Sequence, residues 1–456
     1  MKLSRLIACL LLLLVGINTA TAQSLEEIED SISADLESFG VTPPQDALGF
    51  VVGQICPSGA ISPGMGKIVN DDLQARCGEI VGATGSGNND ARDGLQAMAP
   101  EEDAVIASSQ VDAGSAQVDN IGDRLSSLRA GTAGAGLAYQ QNSGFNWSGG
   151  AAGDGASRWG FFVNGLYASS DRDTTVRESG FEADDFGFTA GIDFAMNERL
   201  VVGAAFGYRN SDAEIDNNGG NMDTDSDSFF GYFSYYPSEF WYVDAMLGYT
   251  DNDHEQNRTV AYSIFGPGTG LAAPVTVSNA ALSETESDEL SFSFTVGHII
   301  QLSTFHVDPF VRFDYADIDI DGFTERMRDS AAGTPGSGLA LIIDEQEFES
   351  VTIALGTDIG TEWQWGTTTV YPVFTAEYVH EFENENAPIV GRFVNDSSNT
   401  RFSLPTDEPD ENFFNVGFSL SALLSDQVVG YARYQGLLDY DNLDVHAFEF
   451  GIKANF

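Results

Sequence analysis

Three groups of residues have the types and spacing that could do chemistry. Asp317-Ile-Asp319-Ile-Asp321-Gly322 opens like a calcium loop, D-x-D-x-D-G, in which alternate carboxylates and a turning glycine wrap a hard cation. The bidentate glutamate such a loop needs at its twelfth position is replaced by Arg328. The same alternation suits a strand running out into water, which is the favoured reading. Asp251, Asp253, His254 and Glu255 combine a base with carboxylates, but a lone histidine in an acidic run reads as exposed loop decoration. The other histidines are scattered singly, with no set at metal-ligand spacing. Cys56 and Cys77 have no histidine nearby and read as a structural disulfide. Closing a loop of about twenty residues, the bridge would stabilise by roughly 3 kcal/mol in the chain-entropy model. The Gly-rich stretch 82–90 (GATGSGNND) lacks the Lys-Ser/Thr of a phosphate loop. No catalytic, cofactor-binding or metal residues are therefore assigned, and the chain is expected not to be an enzyme.

The elements that would position these groups begin with an export signal. Lys2 and Arg5 form a basic start, Leu6 to Ile17 an apolar run too short to span a bilayer, and Ala20-Thr21-Ala22 a small-residue cleavage pattern ahead of Gln23. Residues 1–22 are thus expected to be removed, and Cys9 with them. The net charge of −49 excludes a nucleic-acid partner. No later segment approaches 18 uninterrupted apolar residues, so membrane crossing, if it occurs, requires a closed barrel.

The last fifteen residues carry the barrel signature. Phe448, Phe450, Ile452, Ala454 and the terminal Phe456 alternate with Glu449, Gly451 and Lys453, a period of two with a different solvent on each face. From Trp159 onward the alternation predicts twelve strands, at 159–173, 181–196, 200–216, 223–237, 240–262, 281–300, 306–326, 348–363, 367–385, 410–424, 427–440 and 442–456. Twelve is even, as single-chain bacterial barrels require, and the connections alternate between short turns and long loops. Apolar residues such as Phe186, Phe188 and Ile192 should face lipid, and the small polar set the lumen. Asn164, Asp193, Asp244, Asp358, Glu362, Glu377, Arg433, Glu449 and Lys453 should line that lumen. Trp159, Trp241, Trp363 and Trp365 gather at the short-turn end, as an interfacial girdle would.

Before the barrel, residues 23–91 form a small segment with a helix expected over Glu26–Phe39. A second helical stretch is expected over 92–130, with Val111, Val118, Ile121, Leu125 and Leu128 on one seam. A Gly/Ala/Ser linker, 131–158, follows. A twelve-stranded barrel has room for about one helix, roughly 10 Å across, so the stretch at 92–130 either threads the lumen or packs as an ordinary amphipathic helix on a small periplasmic domain; the family resemblance given next favours threading.

This arrangement resembles the autotransporter family of type V secretion. The resemblance is carried by the terminal strand, by the stretch 412–440 (NFFNVGFSLSALLSDQVVGYARYQGLLDY) and by the stretch 96–131 (QAMAPEEDAVIASSQVDAGSAQVDNIGDRLSSLRAG). It implies a membrane all-β fold: a twelve-stranded antiparallel barrel, 159–456, anchoring and exporting its own N-terminal segment or plugged by it. It also implies a Gram-negative outer-membrane location, with that segment at the cell surface or in the lumen. The partners implied are outer-membrane lipid, periplasmic chaperones and the barrel assembly machinery, which would read Phe448, Phe450, Ile452 and Phe456; a monomer is expected. The stretch 117–129 further resembles the cleavage linker of serine protease autotransporters. Asn120 matches its second asparagine, but Asp119 replaces the cyclising one. Efficient self-cleavage is therefore not expected. The N-terminal segment is shorter than usual for a passenger and has no repeats or protease or lipase motif. Two other functions fit the same arrangement: a porin-like channel with a periplasmic N-terminal domain, and a surface adhesion or binding protein.

Overall fold

The computed structural model describes residues 41–55, 70–85, 90–106, 121–122, 124–125 and 158–455, apart from 198, 239, 266–273, 303, 367, 384–386 and 426. Twelve long antiparallel strands close into one barrel: β1 (Trp159–Arg172), β2 (Phe181–Asn197), β3 (Leu200–Ile215), β4 (Gly220–Tyr235), β5 (Trp241–Ile264), β6 (Val275–His298), β7 (Phe305–Ile320), β8 (Gln346–Thr361), β9 (Thr368–Glu381), β10 (Asn412–Ser425), β11 (Val428–Leu438) and β12 (Leu443–Asn455). Each strand pairs with its sequence neighbours. The first and last pair from Gly160 opposite Asn455 to Arg172 opposite Leu443 and so leave no edge. Among the described residues no helix is long and apolar enough to cross a membrane, and the wall supplies the crossing instead.

Alternation explains the wall. On β2, Phe186, Phe188, Ile192 and Met196 are exposed on the outer face while Thr189 and Asp193 are buried inside. On β12 the same split separates exposed Phe448, Phe450 and Ile452 from buried Glu449 and Lys453. The four tryptophans Trp159, Trp241, Trp363 and Trp365 are exposed at the short-turn end. Toward the other end, six odd-numbered strands each offer a tyrosine hydroxyl to the next strand. Tyr167 donates to Asp184 (2.8 Å), Tyr208 to Asp225 (2.6 Å), Tyr249 to Asp288, Tyr315 to Glu349 (3.2 Å) and Tyr378 to Asn412; Tyr434 meets His446 Nδ1 (2.9 Å). These two rims bound the apolar band as interfacial aromatics do.

The inner face is not made of small polar residues alone. Phe162, Phe230, Tyr232, Tyr242 and Tyr431 are buried inside. Their rings lie across glycines of neighbouring strands. A Cβ built on Gly191 would stand 2.2 Å from the Phe162 ring, and one on Gly297 2.1 Å from the Tyr242 ring. The glycines there are needed for close approach.

β6 begins six residues before its expected start at 281, and with β5 it makes the longest pair of strands. Each has 24 residues, about 80 Å of extended chain, where a membrane crossing needs about 9–11 residues. The hairpin, with strands expected to end at 262 and resume at 281, continues as a paired ladder to Ile264 opposite Val275. Beside it, the connections after β7 and β9 form a second sheet ordered Phe402–Leu404, Ile389–Phe393, Leu341–Ile343, Phe323–Thr324.

Among the described residues three helices precede the barrel: α1 (Pro43–Ile55), α2 (Asp71–Gly85) and α3 (Asp90–Gln96). Thr42 Oγ1 accepts from the Gln45 N–H and Gln45 Oε1 from the Thr42 N–H, a reciprocal cap on α1, which begins on two prolines. Asn70 Oδ1 caps α2 by accepting from the N–H groups of Asp72 and Leu73. The helix expected from residue 92 is interrupted. α3 stops at Gln96, and Pro100, which lacks an N–H and restricts Ala99, leads into a single 3₁₀ turn, Glu101–Asp103. The helix expected over Glu26–Phe39 lies outside the described residues.

Candidate functional site

The site is the lumen and its long-loop mouth, where described residues of the segment before β1 pack against the wall. Ile121 and Leu125 are buried inside the wall against Phe162, Val201, Ala205, Phe230, Tyr232 and Met246. Between them Arg124 points at β2. Its Nε lies 2.7 Å and its Nη2 2.6 Å from Asp193 Oδ2, and its guanidinium lies 5.5 Å from the centre of the Phe162 ring. The side chains of both ions are almost fully buried, at 0% and 5% exposure. Apolar contacts, a buried ion pair and a cation–π contact thus hold this turn of chain to the inside of the barrel.

The helices sit on the long-loop end. Leu48, Val51, Val52 and Ile55 of α1 and Leu73, Cys77 and Ile80 of α2 share one apolar cluster with Val260, Tyr262 and Ile264 of β5, Val277 of β6, and Leu341, Phe393 and Leu404 of the small sheet. Polar contacts fix the position. Asp72 Oδ2 accepts from the N–H groups of Gly336 (3.0 Å) and Gly338 (2.9 Å) in the connection after β7, and Asp90 Oδ2 accepts from Phe265 N–H (2.5 Å). Of the described residues before the barrel, 43–55, 71–85 and 90–106 thus lie at the long-loop mouth and Ile121, Arg124 and Leu125 lie against the inside of the wall.

Below the helices the turn Glu101–Asp103 is pressed against Arg258 of β5. Arg258 is held bidentately by Glu325, Nε to Oε1 and Nη2 to Oε2 at 2.8 Å each, while its Nη1 has no hydrogen-bond partner among the described residues. Burial is the main cause that raises the carboxyls of Glu101 and Glu102 above the usual range, and that pushes Asp103 up to about 7.

A model of the autotransporter β-domain family matches residues 161–435. The chain belongs to the autotransporter β-domain family. The translocator domain of the autotransporter NalP from Neisseria meningitidis has the same fold, with a TM-score of 0.51 at 13% identity, covering 77% of this chain and 99% of that one. Two curated relatives, each named Esterase EstA, from Pseudomonas aeruginosa and Pseudomonas putida, are 25% identical over 280 residues. The match takes in 59% of this chain and 39% of theirs, so the chain spans about two fifths of their length. These relatives overturn the expectation that the chain is not an enzyme, because the family members it matches are named for an esterase activity. Autotransporter barrels of this family lie in the Gram-negative outer membrane.

Within this autotransporter barrel most of the expected lumenal residues are brought inside, but not as one cluster. Asn164 donates to Glu449 (2.5 Å) and accepts from Thr189 N–H (3.0 Å), while Tyr431 also donates to Glu449 (2.5 Å) and Lys453 caps the Tyr431 ring at 3.9 Å. Glu377 is held by both Arg312 nitrogens at 3.0 Å, Asp244 by Ser234 (2.5 Å) and Asp358 by Thr375 (2.7 Å). Arg433 is half-buried on β11. Glu362 is exposed, in a one-residue break between β8, which ends at Thr361, and a short strand, Trp363–Trp365, that pairs with β9. His254 is not loop decoration: it is buried on the inner face, between Thr224 Oγ1 (2.9 Å) and Ser287 Oγ (3.0 Å), while Asp251, Asp253 and Glu255 point outward. Asp317 and Asp319 lie on β7, and with Glu347 they bring three carboxylates within 4.8 Å. Cys77 is disulfide-bonded. Cys56, Asp119, Asn120 and Phe456 lie outside the described residues.

The ion pairs Arg124–Asp193, Arg209–Asp185 and Arg258–Glu325 were not assigned from sequence. A usable signal existed: with 20 basic against 69 acidic residues, an arginine at an inward position on a strand is rare enough to mark a pair.

Proposed function

We propose that this outer-membrane β-domain carries its own N-terminal segment through its lumen and retains it on the outer side, as a surface cap. The observation that carries this is the Arg124–Asp193 pair within the lumen, which ties the segment preceding β1 to the inside of the wall. Two further features support it. The helices pack at the long-loop end, and in barrels of this kind long loops face outward and short turns the periplasm. The lumen is occupied by packed side chains at the level of Ile121 and Leu125, which suits a plug better than an open channel.

In this scheme residues 1–22 are the export signal, 23–91 the displayed segment, 92–130 the threaded stretch, 131–158 a linker and 159–456 the barrel. Cys56 would be the partner of Cys77. The last strand, with Phe448, Phe450, Ile452 and Phe456, would be read by periplasmic chaperones and the barrel assembly machinery. Asp119 in place of a cyclising asparagine would leave the segment attached.

An epitope tag placed after Gln23 tests the location. Antibody should label intact cells. Labelling only after the outer membrane is permeabilised would sink the display proposal in favour of a periplasmic segment.

A further inference from the structure

The turn Glu101–Glu102–Asp103 is an unusual way to seat a cap. Three consecutive carboxylates enter the mouth, and Glu102 and Asp103 are 6% and 0% exposed. Glu102 Oε2 finds no hydrogen-bond partner among the described residues, and the donor beside Asp103 is the neutral side-chain amide of Gln256. The cation facing them, Arg258, already spends its Nε and Nη2 on Glu325. Four carboxylates therefore crowd one guanidinium in a space closed to water. A buried, unpartnered carboxylate is costly as an anion and much less so as an acid.

The surroundings are otherwise nearly neutral. Glu101 accepts from Ser179 of the β1–β2 connection (2.9 Å) and from Gln96 at the end of α3. Gln256 of β5 faces Asp103. Further out, Tyr262 of β5 faces Arg76, Glu79 and Asp72 of α2. The two ion pairs of Arg76, to Asp72 (3.2 Å) and Glu79 (2.8 Å), are made within α2 itself.

We propose that Glu101–Glu102–Asp103, seated against the Arg258–Glu325 pair, is a proton-dependent latch that holds the N-terminal helices on the barrel mouth and loosens as its carboxylates ionise. The sign follows from linkage. The docked state keeps protons on Glu102 and Asp103 that the undocked turn would give up near ordinary carboxylate values. Docking is therefore at full strength below about pH 4, weakens as pH rises toward the docked value of about 7 for Asp103, and changes little above it. The device concerns docking on the long-loop end and holds whichever side of the membrane that end faces, so its failure is separable from that of the display proposal.

Hydrogen exchange on the full-length protein in detergent tests this, after correction for the intrinsic pH dependence of exchange. Amides of α1 and α3 should lose at least tenfold in protection between pH 5 and pH 8, while β2 and β3 keep theirs. In the Glu102→Gln/Asp103→Asn variant, protection should stay at the pH 5 value at both pH values. Glu289→Gln, which neutralises a buried lumenal carboxylate away from the latch, should leave the wild-type profile unchanged. If the double variant does not give a heat-modifiable barrel, Glu102→Gln alone should remove part of the pH dependence. Wild-type protection that does not change with pH, or a neutralised variant that still follows it, overturns the latch; so does a profile abolished by Glu289→Gln.

Discussion

Arg124 and Asp193 lie 69 residues apart in sequence and meet at 2.6 Å inside the barrel wall. One belongs to the segment that precedes β1, the other to β2. Removing one partner of a buried pair leaves an uncompensated charge and costs about 3–5 kcal/mol. Arg124→Ala should therefore release the threaded turn while the strands persist. In a planar bilayer it should raise conductance above that of the wild type. Exchanging the pair, Arg124→Asp with Asp193→Arg, should recover much of the loss; a double variant no better than either single would mean that the contact is incidental.

The wall depends on the aromatic rings that lie over glycines. A Cβ on Gly191 would stand 2.2 Å from the ring of Phe162, the same ring that faces Arg124. Gly191→Val should cost roughly 1–3 kcal/mol as overpacking, seen as slower assembly and a lower temperature of barrel unfolding. Pairing it with Phe162→Ala should relieve the clash, at the expense of the contact to Arg124. A single variant that assembles like wild type would show that the wall yields there.

The strand count was legible in sequence because a barrel wall separates two solvents, and a period of two records that directly. The tryptophan rim was legible for the same reason. The full reach of β6 was not: its expected start at 281 falls six residues short of Val275. Beyond Tyr249 and Leu290 both faces become polar, since the outer face meets water. His254 was misread for that reason. The inner aromatics were hidden because a ring such as Phe162 is accommodated by Gly191 on the next strand, a relationship across strands that local periodicity cannot express. The covered mouth is less local still. Asp72 is a plain helix-start residue until the connection after β7 brings the N–H groups of Gly336 and Gly338 to its carboxylate.

That last contact gives a prediction independent of the lumen. Asp72→Ala removes the acceptor of two backbone N–H groups and a partner of Arg76. Hydrogen bonds to charged groups contribute about 1.5–3 kcal/mol each. Exchange protection in α2 should fall by at least tenfold, with the barrel strands unaffected. Asp72→Asn, which keeps an acceptor oxygen, should fall less. Equal losses in both variants would assign the effect to the charge, and no loss in either would remove Asp72 from the docking contacts.

Above the tyrosine rim the outer face carries carboxylates directly opposed across strands. Asp212 faces Asp223, Asp225 faces Asp253, Asp251 faces Asp288, Asp319 faces Glu347. Like charges directly opposite one another destabilise a sheet, and Asp223 reflects this: its hydrogen bond to Asp212 heads the causes that push its carboxyl up to about 6. These groups are exposed, so their repulsion is screened by salt, with a Debye length near 30 Å at 0.01 M and about 8 Å at 0.15 M. The long hairpin of β5 and β6 should therefore gain exchange protection when sodium chloride is raised from about 10 to about 150 mM, while the apolar band changes little. Asp223→Asn and Asp253→Asn together should reproduce part of that gain at low salt. Protection that is indifferent to salt, or that falls, would mean that the opposed carboxylates are already neutralised by protons or bound cations at neutral pH.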